Sequence, residues 1–247
     1  MKISTLKKVK KFSVALFWIL LWQIFAMYIN EEILLVSPFK VLIKTFENLH
    51  DPDFYFIVLN TSSKIFSGFI IGLILGLFFS LLSYKYKILK ELLFPLVQFI
   101  KSVPVVSFVM LLLIFISSKY LNIFIPAIMS FAIFYTNLLN GLMAIDFKIL
   151  EMAKIFSISK KNKLKYIYLH HLKPYLYSAT SLAIGIAFKS GLSAEVIGIA
   201  SNTVGRMIYE SKVYLDIASL FSYTFVAMLI SMLLEKFLLL IIRRSLW

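Results

Sequence analysis

Most charged residues lie between the apolar runs of this chain, but a few that could bind an ion lie inside them. Lys101 sits in QFIKSVPVVSF, Lys189 and Glu195 in GIAFKSGLSAEVIG, and Glu235 in a leucine-rich run near the C-terminus. An ionised group at mid-bilayer costs about 2.5–3.5 kcal/mol, so each must meet a counter-charge, a partner or water. The chemistry open to them is binding and passage of a solute. Lys189 and Glu195 are six residues apart, roughly 240° around an ideal helix, so they are not an i,i+4 pair. A structural ion pair, snorkelling to the outer interface and lining of a pathway remain alternatives for both. Pro104 lacks an amide hydrogen, so the helix carrying Lys101 must bend or break there. A charge beside a broken helix suits a cavity wall, where water or protein satisfies the freed backbone groups. Lys101, Pro104, Lys189 and Glu195 are therefore the candidates for lining a pathway.

Other chemistries find no support. His50 is isolated, and the adjacent His170 and His171 point about 100° apart on a helix, so they cannot share a metal as i,i+4 ligands do. No H-E-x-x-H occurs, and no glycine-rich loop precedes a lysine-serine or lysine-threonine pair, so neither a metal nor a nucleotide site is expected. The chain has no cysteine, which removes disulfides and thiolate catalysis. No nucleophile, base and orienting group can be assembled, so the chain reads as a non-enzyme that needs no cofactor.

The elements that position these residues are membrane spans. Of 247 residues, 61% are hydrophobic and only 15% charged. The mean hydropathy is +0.91. That composition predicts an integral membrane protein, all-α, with residues 1–247 forming one polytopic bundle. About six transmembrane helices are expected, at 12–30, 62–83, 92–117, 122–145, 174–199 and 215–241. Each suits a hydrocarbon core of roughly 30 Å. The runs are continuously apolar rather than alternating, which excludes a β-barrel. The first resembles a signal peptide but has no convincing cleavage site, so it is read as an uncleaved helix. Gly68, Gly72 and Gly76 share one face of the second helix and are expected to pack another helix closely. Ala179, Ala183, Ala187 and Gly191 make a similar stripe on the fifth.

The net charge of +14 sets orientation here and does not mark a nucleic-acid surface, since no polar domain exists to carry one. Basic residues concentrate at the N-terminus (Lys2, Lys7, Lys8, Lys10, Lys11), at 85–90, at 148–173 and at Arg243–Arg244. The opposite connections hold only Lys40, Lys44, Lys119, Arg206 and Lys212. Both termini and the 146–173 segment are thus expected in the cytoplasm. In the outer loop, FKVLIKTFENL has helical apolar spacing and is expected on the membrane surface.

The 146–173 segment reads as an amphipathic helix–turn–helix. DFKILEMAKIF places Ile149, Met152, Ala153 and Phe156 on one side, with Lys148, Glu151 and Lys154 toward the other. After SIS, Ser159 can cap a second helix in which Leu164, Ile167, Tyr168, Leu172 and Tyr175 recur. Such a segment either lies on anionic lipid or docks a soluble partner.

It resembles the EAA loop of ABC-type importer permeases: E-A-A, three residues, Gly, nine residues, Ile-x-Leu-Pro. Glu151 and Ala153 match, with Met152 between them. Ser157 stands where the glycine belongs, Ile167 and Leu169 match, and His170 replaces the proline. Serine tolerates left-handed geometry less well than glycine. KSVPVVSFVMLLLIF, GIAFKSGLSAEVIG and SPFKVL resemble signatures of the nitrate/sulfonate/taurine-type permeases, in order along nearly the whole chain. The resemblance implies a type I importer permease in the plasma (inner) membrane. It implies a second permease chain, in a homodimer, and two cytoplasmic ABC ATPase subunits receiving the coupling loop, with Ile155 and Phe156 as anchors. It also implies an extracytoplasmic substrate-binding protein, surrounding membrane lipids, and a small anion or organic solute of the nitrate, sulfonate, taurine or pyrimidine-precursor kind. A self-sufficient secondary transporter is the alternative; it would need coupling carboxylates in the spans, for which only Glu195 and Glu235 offer themselves.

Overall fold

The computed structural model describes residues 2–245, with side chains at Lys10 and from 13 to 244. The side chains of Lys2, Lys7, Lys8 and Lys11, which carry much of the expected N-terminal orientation, lie outside the described residues, as do Leu246 and Trp247. The described residues are helical throughout, joined by short turns.

The chain runs through α1 (Lys2–Ile29), α2 (Pro38–Asn48), α3 (Pro52–Lys85), α4 (Lys87–Ser102), α5 (Val105–Leu113) and α6 (Ser118–Met143). It continues through α7 (Phe147–Ile155), α8 (Lys160–Lys163), a π-helical turn (Leu164–Tyr168), α9 (Leu169–Gly198), α10 (Val204–Val213) and α11 (Ile217–Ser245). Local chemistry sets many starts. Ser37 and Asp51 cap α2 and α3, each followed by proline at the first helical position, where its missing N–H costs nothing. That cap starts α3 at Pro52, ten residues before the apolar run suggested.

Four helical stretches are long and apolar enough to cross a bilayer: α3, α8 through α9, α6 and α11. A fifth span results if α4 and α5 count as one. The expected first span corresponds to Ser13–Ile29, 17 residues, at the short limit for a crossing. The expected third span is not continuous. α4 and α5 meet at 103°, because Val103 is driven to extended geometry (φ −76°, ψ 132°) by the proline that follows. Pro104 then opens α5.

α6 is the central element, with 61% of its apolar window buried against 6% for α11. α3 packs on it through the glycine stripe. A Cβ at Gly72 would stand 2.5 Å from Ser130 Cβ, and one at Gly68 2.3 Å from the Ile123 carbonyl oxygen. The α9 stripe closes the third side; Ala179, Ala183 and Ala187 are buried, and a Cβ on Gly191 would meet Ile65. Small residues thus let three backbones converge where lipid supplies no hydrophobic drive between helices. At the start of α11, Ser222 ties it to α2, bonding Thr45 at 2.9 Å and Asn48 at 3.1 Å. α10 has too little apolar character to register as a span and was not anticipated.

Candidate functional site

The hairpin is built from its ends. Asp146 caps α7, its side chain accepting from the Lys148 N–H at 2.9 Å. The helix stops in a Schellman motif: the Ile158 N–H reaches the Ala153 carbonyl and the Ser157 N–H the Lys154 carbonyl, both at 3.0 Å. This requires left-handed backbone at Ser157, whose φ is 48°, at the position where the EAA pattern has glycine. Ser159 then caps α8, accepting from the Asn162 N–H at 3.3 Å.

The faces of α7 differ from the expected amphipathic split. Ala153 is buried and Leu150 packs against the core, whereas Met152 is exposed. Ile155 and Phe156 are 79% and 74% exposed. The inward stripe is fixed by the Leu150–Ala153 spacing, which leaves Met152, Ile155 and Phe156 as an exposed apolar tip beside the exposed Glu151 and Lys154. In the second arm Ile167 packs on the core, while Leu169 and Leu164 are exposed. The π-helical turn shifts the side-chain register between Leu164 and Leu172.

The pathway candidates separate. Lys101 is exposed and, with Lys90, Gln98, Thr136 and Asn140, lines a cleft of about 280 Å³ between α4 and α6. Pro104 forms the adjoining bend. Lys189 is exposed on α9, on the face it shares with Leu182, Gly185 and Ile186, opposite the buried alanine stripe. It lies nine residues from the end of α9, about 14 Å into the helix. Among the described residues it makes no ion pair.

Glu195 lines no such surface. It is fully buried, and its carboxylate accepts from Asn122 Nδ2 at 2.6 Å, Thr61 Oγ1 at 3.1 Å and the Gly205 N–H at 3.0 Å. Thr61 Oγ1 in turn accepts from the Val204 N–H at 2.9 Å. The expected pathway residue is thus a tie joining α3, α6, α9 and α10. Burial of an ionisable side chain demands such donors, but sequence cannot say which helix will supply them. Thr61, Asn122 and Gly205 carried no signal of their own, apart from a lone asparagine at the start of an apolar span.

The described residues thus form a polytopic helix bundle with a broken helix, a lysine-lined cleft and an exposed hairpin. Residues 68–246 match the family described as binding-protein-dependent transport system inner membrane component, and the chain belongs to that family. It is an ABC transporter permease component, membrane-embedded and multi-pass. A Bacillus subtilis protein named for aliphatic sulfonates transport is 25% identical over 180 residues, 72% of this chain and 65% of its own length. An ABC transporter permease of Brucella melitensis is 21% identical over 159 residues, 64% of each chain. One from Methanocaldococcus jannaschii is 22% identical over 214 residues, covering 84% of this chain and 79% of its own. The chain thus spans just under two thirds of the first two relatives.

Proposed function

We propose that this chain is the membrane subunit of an ATP-driven importer, taking solute from an extracytoplasmic binding protein. Two copies form the pathway, with the exposed Lys189 face of α9 and the Lys101 cleft at or beside their contact. The hairpin faces the cytosol of a cell whose plasma membrane holds the bundle, and docks into a groove on one of two ABC ATPases. The observation that carries this reading is the tip: three large apolar side chains left exposed where a complete Schellman turn ends α7, in a sequence without a phosphate loop. Energy then enters through a partner, and closure of the ATPase pair drives the hairpins together and tips the spans between access states. Exposed lysines at both pathway positions, and the sulfonate named for one relative, support a small anion or sulfonate-like organic solute as substrate.

The test is Phe156→Asp, with Glu151→Arg alongside, in the reconstituted transporter. Both variants should insert normally, while Phe156→Asp removes substrate-stimulated ATP hydrolysis through loss of an anchor worth about 2 kcal/mol or more. Unaltered coupled hydrolysis in Phe156→Asp would show that the tip is not the docking element.

A further inference from the structure

We propose that a pocket between the start of α9 and the end of α11 binds the phosphate group of an anionic membrane lipid. The pocket measures about 780 Å³ and is lined by His170, His171, Lys173, Tyr177 and Arg243, with no carboxylate among the described residues of its wall. Four side chains able to carry positive charge converge from two helices that are distant in sequence. Arg243 supplies a fork that matches phosphate oxygens in a bidentate manner. His171 Nε2 is buried and makes no hydrogen bond among the described residues, although buried polar atoms ordinarily have a partner.

The same oxygen chemistry is offered by free phosphate and by a lipid headgroup. Position favours the lipid. Only 6% of the apolar window of α11 is fully buried; Ile230, Leu234 and Leu238 pack on the core and Leu229, Leu233 and Phe237 are exposed, so that outer face runs beside acyl chains, and Arg243 ends the span at the depth of the headgroups. Basic pockets at the ends of adjacent spans suit anionic headgroups. Lipid binding here depends neither on which way the hairpin faces nor on what the bundle carries.

The experiment uses the full chain in detergent, titrated with phosphatidylglycerol or phosphatidylcholine and read by native mass spectrometry. Phosphatidylglycerol should bind preferentially, and Lys173→Gln with Arg243→Gln should reduce that preference about tenfold. Lys85→Gln with Lys87→Gln removes the same charge from the α3–α4 connection and should leave it unchanged. Should the first pair fail to fold, Arg243→Gln alone, at the exposed end of α11, serves in its place. A preference that survives loss of the pocket charges overturns the proposal. So does an equal loss in the control pair, which would mean diffuse attraction. Displacement by equimolar inorganic phosphate would assign the pocket to the free ion and overturn the lipid assignment.

Discussion

At Glu195, one carboxylate holds four helices by taking hydrogen bonds from a threonine, an asparagine and a backbone amide. Its loss strands three donors in the apolar interior, each costing about 1–3 kcal/mol. Glu195→Ala should therefore lower the thermal midpoint in detergent sharply. Glu195→Gln keeps the shape and one acceptor oxygen and should fall between that variant and the native chain; equal midpoints for all three would remove the tie from the account of stability. Gly205 belongs to the same contact, since a Cβ there would stand 2.2 Å from Glu195 Cβ. Outside the spans, Asp216 is a simpler carboxylate. Burial works to raise its pKa, yet bonds from the Ser219 N–H (3.0 Å) and hydroxyl (2.6 Å), helped by Lys44, hold it below the ordinary 3.8. A depressed folded value means its contribution is complete above the unfolded pKa and disappears as pH falls through the folded one. The stability difference between the native chain and Asp216→Asn should accordingly be constant near neutrality and shrink below about pH 4.

Among the elements, the use of glycine separates packing from turning. None of the glycines has positive φ; left-handed positions are taken by Asn30, Ser157, Ile199, Asn202 and Leu215. Three of these follow helices in the same way: a six-to-one bond closes the turn from Ile158 to Ala153, from Ala200 to Glu195 and from Asp216 to Ser211. Glycine at such a position relieves about 1 kcal/mol of crowding. Ser157→Gly should thus raise the unfolding midpoint slightly without altering assembly, while Gly72→Val should abolish folding, because its new side chain would meet the α6 backbone at Ala127 and Phe131. What could be read from sequence follows the same division. Hydropathy located four of the six expected spans and a fifth as a bent pair, Pro104 announced a break, and the glycine spacing marked a packing face. The 103° size of the bend was hidden, since proline removes a bond without fixing where the chain goes next. So was the inward face of α7, because Met152 and Ala153 are equally apolar and only the neighbouring spans decide which is covered.

For the whole molecule, sidedness is the property most open to test. The chain has no cysteine, so one introduced at Lys161 would be its sole thiol. It should react with a membrane-impermeant maleimide in inside-out vesicles and stay unlabelled in intact cells; the opposite pattern would place the hairpin outside. Lys189→Ala should cut uptake severalfold and leave copurification with the ATPase intact, with uptake assays on the reconstituted transporter as the readout. The exposed tip of Ile155 and Phe156 bears on biogenesis as well. Under the proposed docking role, the exposed knob is bait for chaperones and proteases until a partner covers it. Orphan copies of the chain should therefore be short-lived, so that cellular levels track the supply of whatever protein caps the knob.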